Sequence, residues 1–238
     1  MFLEGAGDIE IRFTYGSTAR ADVVIGCDGI RSRIRGLVLP AKQKAAYSRK
    51  FCFRALVPMS DAVLALGEKR DNTRYMYNGP GAHIITYPVG NNFLLNVLAV
   101  ISDPDKERKD KGKHTALGTK SKAVATFSRE NEKGKGWCDT TRKIVELFPK
   151  EEMEKWAVFD MAEFPADTYL SHQSGKKNGN GNENWNGNGR VRVAGDAAHA
   201  TGPHLGAGDG MGIEDALVLS ALLGDVARRL SFVVVVVF

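Results

Sequence analysis

The sequence predicts an α/β fold of the α+β kind with two sheet regions. A β-branched run without alternation spans residues 21–26, which is typical of a strand covered on both faces in a parallel or mixed sheet. Strand patterns separated by glycine-rich turns fill residues 51–100 and predict a second, mixed sheet. A long run with helical spacing of apolar residues follows residue 210.

The composition is that of a soluble globular protein, because 43% of the 238 residues are hydrophobic and 26% are charged. The formal net charge of +5 does not predict a nucleic-acid partner, since the densest basic run, 106–113, is broken by acidic residues. The longest apolar stretch, 232–238, is far shorter than the roughly 20 residues of a spanning helix, so no stable membrane insertion is expected. Three cysteines without metal-ligand spacing, and no secretory signal, predict a cytoplasmic protein without a metal site.

The first elements are predicted strands. Ile9, Ile11 and Phe13 fall on one face of an alternating segment that has polar residues on its other face. A turn signal at 15–17 separates this strand from the buried run at 21–26.

The middle of the chain has three predicted strands, at 51–58, 83–89 and 93–100, followed by two predicted helices, at 123–130 and 140–148. The Lys-rich segment 102–121 is expected to be an exposed excursion. Pro149 ends the second helix.

The last third begins with a compositional outlier, because six Asn and five Gly fall within 175–190 and predict a flexible surface insertion. A strand at 190–194, a helical turn at 197–200 and a helix from about Met211 to Leu230 follow. Five valines at 233–237 have the pattern of a buried strand. No partner follows them, so we expect the end of a truncated or mis-spliced reading frame.

Two segments share one pattern, a β-branched strand that ends in a glycine and an acidic residue. Asp28 follows the strand at 23–26, and Asp196 follows Gly195 after the strand at 191–194. Ligands of α/β sheets bind outside the carboxyl ends of strands, where a carboxylate accepts hydrogen bonds from hydroxyl groups. A helix cap or a turn former is the alternative for either aspartate.

A glycine-rich segment precedes the last helix. Gly206, Gly208, Gly210 and Gly212 leave backbone N–H groups accessible just before the predicted helix start. Such amides and the positive end of a helix predict a site for an anion or a dipole acceptor. A flexible turn with a helix cap is the alternative.

Together these segments resemble a known family. They read Gly-Cys-Asp-Gly-Ile-Arg-Ser at 26–32, Gly-Asp-Ala-Ala-His-Ala at 195–200, and Pro-His-Leu-Gly-Ala-Gly at 203–208 before Ile-Glu-Asp-Ala-Leu at 213–217. In this order they resemble the single-component FAD-dependent aromatic hydroxylases, and among them the salicylate hydroxylase-like monooxygenases of fungi. The resemblance implies a partial FAD-binding α/β domain of the glutathione-reductase/aromatic-hydroxylase type and a mixed β-sheet substrate domain.

The resemblance also implies a cofactor site. Asp196 matches the acidic residue that hydrogen-bonds the FAD ribitol, and Asp28 matches the aspartate that helps to organise the groove for FAD and the nicotinamide cofactor. Residues 206–209 match the loop that meets the flavin ring near N1 and O2, where negative charge accumulates on reduction. Asp209 departs from the family, which has a small neutral residue there. The implied cofactor-binding set is Asp28, Gly195, Asp196, Gly206, Ala207, Gly208 and Asp209.

In the middle section, the segments 53–58 and 86–89 resemble strands that line the family's substrate pocket. Arg54 and Tyr87 match the catalytic positions that orient a phenolic substrate and help to ionise it, since a guanidinium beside a phenol stabilises the phenolate. A surface strand residue is the alternative for Arg54, and a core aromatic for Tyr87. His199 is predicted to make a structural hydrogen bond.

The activity that the resemblance implies is hydroxylation of a small aromatic, salicylate- or phenol-like substrate. NAD(P)H reduces FAD, O2 forms a flavin C4a-hydroperoxide, and the distal oxygen is transferred to the ring. Two alternatives stay open. One is a non-catalytic flavin-fold remnant, and the other is a different flavin-dependent oxidoreductase such as a halogenase, for which no diagnostic Lys-based motif is present.

The family begins with a βαβ unit that carries G-x-G-x-x-G, and this sequence has no counterpart to it. We therefore expect an N-terminally truncated chain whose FAD binding is impaired when it is isolated. Four regions are predicted. They are the C-terminal part of the FAD-binding half at 1–48, the substrate-binding sheet with helices at 49–172, the Asn/Gly-rich insertion at 173–190, and an FAD-binding segment with the last helix at 191–238.

Overall fold

The computed structural model divides the chain into two compact units. The described residues are 2–4, 8–39, 43–68, 73–103, 114–128, 136–171, 189–204, 206–229 and 233–238. The first unit joins Met1–Ser48 to Phe159–Phe238, and the second is Arg49–Val158. Residues 173–188 of the predicted insertion, and the whole basic run at 106–113, lie outside the described residues. The four predicted regions stay a prediction.

One sheet of the first unit is antiparallel. Its strands follow the order β1 (Phe2–Glu4), β2 (Ile9–Arg12) and β3 (Thr18–Ala21). Ile9 and Ile11 are buried on β2, which confirms the strand predicted from their alternation.

The other sheet of the first unit is parallel and has the order β11 (Val191–Val193), β4 (Val23–Gly26) and β12 (Val234–Val237). Val24 and Ile25 are both buried on the central strand. Because successive side chains of a strand point to opposite faces, both faces of β4 are covered, as predicted. The predicted run at 21–26 is nevertheless divided, since its first residue belongs to β3.

The valine run has a strand partner. Strand β12 pairs with β4 in parallel, and Val233 exchanges two hydrogen bonds with Asp22: the Asp22 N–H donates to the carbonyl of Val233 (2.9 Å), and the Val233 N–H donates to the Asp22 carboxylate (2.8 Å). The pattern of a buried strand in these valines is therefore explained by a partner that lies upstream, where the sequence analysis had considered only a downstream one. The partner strand comes before the valines in the chain, separated by 211 residues at this contact, so no local pattern indicates it.

Three helices complete the first unit: α1 (Arg33–Val38), α5 (Asp196–His199) and α6 (Ala207–Arg229). Helix α6 begins four residues before the predicted start at Met211. Glycines are tolerated in its first turn because the first N–H groups of a helix have no intrahelical partner to lose.

The apolar face expected for α6 is only partly buried. Ile213 is 70% exposed and Leu217 is 69% exposed. Asp215, Leu219 and Leu223, four residues apart, are half-buried instead and mark the side of the helix that faces the unit. None of the described helices is both long enough and apolar enough to cross a membrane.

The second unit is built on a six-stranded sheet. Its order is β6 (Tyr75–Gly79), β7 (Ala82–Val89), β8 (Leu94–Ser102), β5 (Ala46–Pro58), β10 (Glu152–Asp160) and β9 (Thr115–Thr119). The pairs β6–β7, β7–β8, β8–β5 and β10–β9 are antiparallel. The predicted strands at 51–58, 83–89 and 93–100 are confirmed. The excursion expected at 102–121 is wrong for its second half, because β9 pairs with β10, which the sequence did not predict.

Helices α2 (Met59–Leu66), α3 (Lys120–Thr126) and α4 (Asp139–Glu146) pack against the sheet. Their buried residues form one apolar cluster with side chains from β5, β7 and β8, among them Phe53 and Ile84. The mixed α/β fold class is thus confirmed. Because side chains alternate along a strand, the neighbours of the cluster residues lie on the opposite face of the sheet. We call this face, with Arg54, Leu56, Tyr87 and Asn96, the second face of the sheet.

Two free thiols of the second unit have opposite environments. Burial raises the pKa of the Cys52 thiol to about 11, although the charge of Arg54 opposes the shift. At Cys138 partial burial acts to raise the pKa, but hydrogen bonds from Thr141 and Thr140 outweigh it, so the pKa of this exposed thiol is lowered.

Candidate functional site

The two strand–glycine–aspartate segments leave the same sheet edge. Strands β11 and β4 are parallel neighbours, with Val193 paired to Gly26, and the Ala194 N–H donates to the carbonyl of Gly26 (3.0 Å). The residues that follow both strands, including Asp28 and Asp196, therefore start from one end of the sheet.

The carboxylate of Asp28 is engaged at the start of α1. Its Oδ2 accepts hydrogen bonds from the backbone N–H groups of Arg33 (2.7 Å) and Ile34 (3.2 Å), and its Oδ1 accepts one from the hydroxyl of Ser32. Ser32 in turn caps the helix by accepting from the Arg35 N–H (2.8 Å). Asp28 thus has the capping role that was the alternative to direct ligand binding.

The carboxylate of Asp196 has no such partner. Asp196 is exposed and opens α5, and no described residue donates a hydrogen bond to its side chain. The preceding Gly195 has φ +58°, in the left-handed region that favours glycine. The same local pattern therefore leaves one aspartate satisfied and the other available.

The turn around Asp196 is held from two sides. Asp215 on α6 accepts a hydrogen bond from the Gly195 N–H (2.7 Å). From α1, the Arg35 guanidinium donates to the carbonyls of Asp196 (3.3 Å) and Ala197 (2.9 Å). The backbone that carries the Asp196 carboxylate is thereby fixed before any ligand binds.

Arg35 joins the two aspartate segments. It is 5% exposed, and its third hydrogen bond goes to the carbonyl of Ile30, in the loop after Asp28. Burial lowers the pKa of the Arg35 guanidinium, and the charge of Asp28 opposes this effect. Arg35 could not be predicted as a site residue, because no local feature of the sequence distinguishes this buried arginine from Arg31 and Arg33.

Asp215 also binds His199. The two side chains are 2.7 Å apart, from Nε2 to Oδ2, and the His199 ring meets the Tyr169 ring edge-on at 5.8 Å. The structural hydrogen bond predicted for His199 is thus confirmed. Asp215 was missed. It lies four residues from both Met211 and Leu219, so the sequence places an acidic side chain on an apolar helix face, which is a usable signal of a functional residue.

The carboxylates also affect the thiol at the strand end. Burial raises the pKa of Cys27, and the charges of Asp215 and Asp28 raise it further. The charges of both carboxylates therefore act on the thiol at the end of β4.

Residues 207–209 form the first turn of α6, not the loop that was predicted. The Ala207 N–H donates to the carbonyl of His204 (3.0 Å), and the Gly210 N–H donates to that of Gly206 (3.0 Å), which has φ +70°. No described residue accepts from the amides of Gly208 and Asp209. The accessible amides are therefore present, but in a helical turn, and the exposed side chain of Asp209 sits beside them.

Arg54 and Tyr87 lie on the second face of the sheet, in the other unit. Arg54 is exposed and its Nε donates to Oδ1 of Asn96 (3.1 Å), while Tyr87 is half-buried directly opposite Asn96 on the neighbouring strand. The structure thus brings the two predicted substrate residues to one asparagine. Asn96 was missed, although it is the only polar residue within the apolar run 94–101.

A cavity of about 270 Å³ lies in the first unit. His199, Tyr169 and Met211 line it, but none of the predicted cofactor residues does. Its volume is below the roughly 300–1,000 Å³ of typical small-molecule sites, so it is too small to enclose a whole dinucleotide.

The chain is similar in sequence to fungal flavoenzymes. It is 43% identical over 224 residues to the FAD-dependent monooxygenase orf3 of Aspergillus niger, a match that covers 93% of this chain and 45% of that protein. It is 40% identical over 229 residues to the salicylate hydroxylase asL1 of Sarocladium schorii, covering 94% of this chain and 42% of that protein. The chain thus spans less than half the length of these curated relatives. No family model matches the sequence.

The structure is similar to solved flavoenzymes as well. A salicylate hydroxylase in a substrate complex matches with a TM-score of 0.72 and 29% identity, over 94% of this chain and 50% of that one. HpxO of Klebsiella pneumoniae, complexed with FAD and uric acid, shares the fold with a TM-score of 0.63 and 24% identity, over 93% of this chain and 47% of that one. By sequence and by fold, the chain is a relative of the FAD-dependent aromatic-ring monooxygenases and matches a part of their length.

Proposed function

We propose that this chain binds FAD and takes part in the NAD(P)H-dependent hydroxylation of a small aromatic, salicylate- or phenol-like substrate. The observation that carries the proposal is the carboxylate of Asp196, which is exposed, has no described partner, and sits on a turn held by Asp215 and Arg35. A rigid acceptor of this kind suits the hydroxyl groups of a ribitol chain, because little ordering remains to be done on binding. The relatives named FAD-dependent monooxygenases support the same ligand.

The first turn of α6 supplies the second part of the proposed cofactor site. The amides of Gly208 and Asp209 would hold the polar edge of the flavin ring, where the positive end of the helix favours negative charge. Asp215 lies six residues after Asp209 on α6, about 9 Å along the helix axis. Since Asp215 also holds Gly195, one helix sets the spacing between these amides and the Asp196 turn.

Asp28 is assigned an indirect role in this proposal. Its carboxylate is used at the start of α1, and α1 carries the Arg35 that binds the carbonyls of Asp196 and Ala197. Asp28 therefore organises the site through the helix that it caps.

Bound FAD supplies the redox chemistry: NAD(P)H gives two electrons, one atom of O2 enters the aromatic ring, and the other leaves as water. The chain's own contribution to the substrate lies with Arg54 and Tyr87. The guanidinium of Arg54 stabilises a phenolate, which makes the ring a better nucleophile toward oxygen. Tyr87 provides a ring and a hydroxyl that orient the substrate.

A titration with FAD tests the proposal. We expect the wild-type chain to bind FAD with a change in flavin fluorescence, and Asp196→Ala to bind it roughly 10- to 100-fold more weakly because a charged hydrogen-bond acceptor is lost. Glu163→Ala, which removes an exposed carboxylate of the same unit, is the matched control and should bind like the wild type. Equal affinities for the wild type and Asp196→Ala would remove the assignment.

Asp209 favours a second candidate, a chain that binds flavin without catalysing hydroxylation. A carboxylate beside the amides of the first helical turn opposes the negative charge of a reduced flavin ring. The two candidates differ in NAD(P)H oxidation by the FAD-loaded chain in the presence of salicylate. Turnover by the wild type supports the monooxygenase, whereas tight FAD binding without turnover in the wild type, with turnover gained in Asp209→Ala, supports the non-catalytic candidate.

A further inference from the structure

Asn96 is a buried polar residue on the second face of the six-stranded sheet. Its side chain is 0% exposed on β8, next to the cluster residues Leu95 and Val97, which point to the other face. Leu56 on β5 and Tyr87 on β7 are its directly opposite neighbours. Asn96 therefore lies at the centre of the surface that carries the predicted substrate residues.

The orientation of the Asn96 amide follows from its partner. Arg54 has only donors, so the atom of Asn96 that faces its Nε at 3.1 Å must be the carbonyl oxygen Oδ1. The amide nitrogen Nδ2 is then directed elsewhere, and it is buried without an acceptor among the described residues. A buried amide N–H that is left unsatisfied costs free energy, which a ligand with an acceptor atom recovers.

We propose that Asn96 is a specificity-determining residue for the substrate. Its Nδ2 donates a hydrogen bond to an anionic oxygen, a phenolate or a carboxylate, on the aromatic ring, while its Oδ1 holds the Arg54 guanidinium toward the same group. This inference rests on the proposed function and deepens it, because it selects aromatic acids and ionised phenols over neutral rings.

The chemistry of the neighbours agrees with this assignment. No described residue bonds to the terminal guanidinium nitrogens of Arg54, which stay available to the same anion. Leu56 supplies an apolar side chain for the ring. Tyr87 is half-buried directly opposite Asn96 on the neighbouring strand, so both residues belong to the surface that the substrate would contact.

The variant Asn96→Asp keeps an acceptor for Arg54 but replaces the donor by a negative charge. Because the new carboxylate also pairs with the Arg54 guanidinium, a loss of affinity in this variant is assigned to the lost N–H only if Asn96→Leu in an Arg54→Ala background loses affinity as well. We expect Asn96→Asp to bind salicylate roughly 10- to 100-fold more weakly than the wild type, measured by isothermal titration calorimetry, with a much smaller change for the neutral analogue salicyl alcohol.

Two further variants complete the test. Asn91→Asp adds the same charge in an exposed turn of the same unit and should change salicylate affinity less than twofold. Asn96→Leu has the same branched shape but removes the acceptor for Arg54 together with the unsatisfied N–H, so it is compared in an Arg54→Ala background, where it should weaken salicylate binding further. It decides the matter if Asn96→Asp does not fold.

Unchanged salicylate affinity when Asn96→Leu is added to Arg54→Ala, or in a folded Asn96→Asp, or no salicylate binding by the wild type, would overturn the inference. The FAD titration is measured on the same samples without salicylate. Loss of FAD binding therefore counts against the proposed function, whereas intact FAD binding with unchanged salicylate affinity counts only against Asn96.

Discussion

Asp215 is the residue whose removal tests how the Asp196 turn is held. Its Oδ2 accepts from the Gly195 N–H and contacts His199 Nε2, both at 2.7 Å. Asp215→Ala removes both contacts at once and leaves a backbone donor of the turn without its acceptor. The fold of α6 itself should persist, because alanine is the best helix former.

The expected size follows from these contacts. Hydrogen bonds with an ionised partner contribute roughly 1.5–3 kcal/mol each. The side chains of His199 and Asp215 are 17% and 31% exposed, so water replaces part of what is lost. We therefore expect Asp215→Ala to lower the free energy of unfolding by about 2–4 kcal/mol, and Asp215→Asn, which keeps an acceptor for Gly195, by about half as much.

Urea unfolding followed by far-UV circular dichroism is the assay. The signal includes α6, the longest helix, which belongs to the first unit. In a Trp185→Phe background, the fluorescence of Trp137 and Trp156 reports on the second unit alone and should shift little. Glu214→Ala, the exposed neighbour on the same helix, is the control. If Asp215→Ala unfolds within about 0.5 kcal/mol of that control, the turn is not held as described.

Three further predictions concern residues in both units. Gly79→Ala should destabilise the second unit by about 1–3 kcal/mol in urea, because a Cβ there would lie 2.5 Å from the Trp137 ring. Iodoacetamide at pH 8 should modify Cys138 well before Cys52, since burial raises the pKa of Cys52 to about 11 while the pKa of Cys138 is lowered, and mass spectrometry of peptides measures the order. Arg35→Met should lower the unfolding free energy by about 2–4 kcal/mol in the dichroism assay, because three carbonyls lose their donor.

Each of these has a result that contradicts it. Gly36→Ala is the control for the glycine, since no heavy atom lies within 4 Å of a Cβ at that position, and equal destabilisation of both variants would refute the steric argument. Faster modification of Cys52 would show that its thiol is not buried. An Arg35→Met chain as stable as the wild type would mean that the carbonyls of the Asp196 turn need no guanidinium.

The strands of the fold were largely predictable, because alternation and β-branched runs are local signals. The roles of the two aspartates were not. Asp28 and Asp196 follow strands of the same type, but Asp28 is satisfied by a helix that starts five residues later, at Arg33. Asp196 itself opens a helix, so its carboxylate is left free of that function. Only the distance from the aspartate to the helix start separates the two cases in the sequence.

The contacts that hold the site were beyond local patterns. Arg35 reaches carbonyls more than 160 residues away in the chain, and Asp215 reaches Gly195 across a loop. Asn96 stands out in the sequence as a polar residue within an apolar run, but its role depends on strands β5 and β7 lying on either side of it. For Asp215 and Asn96 the sequence supplies a signal, and the folded chain supplies the partner that gives the signal a meaning.

The side chains of strand β12 do not determine its register against β4, because they are all of one type. In β12 every position is valine, so a slip of one or two residues along β4 would present the same side chains to both faces of the sheet. The alignment must come from the ends, and Asp22 supplies it through its paired bonds to Val233, with the Cys27 N–H bound to the carbonyl of Val237 (2.7 Å) at the other end. Contacts at its two ends thus hold the registration of an all-valine strand, and removal of the Asp22 carboxylate would weaken one of them and favour shifted pairings.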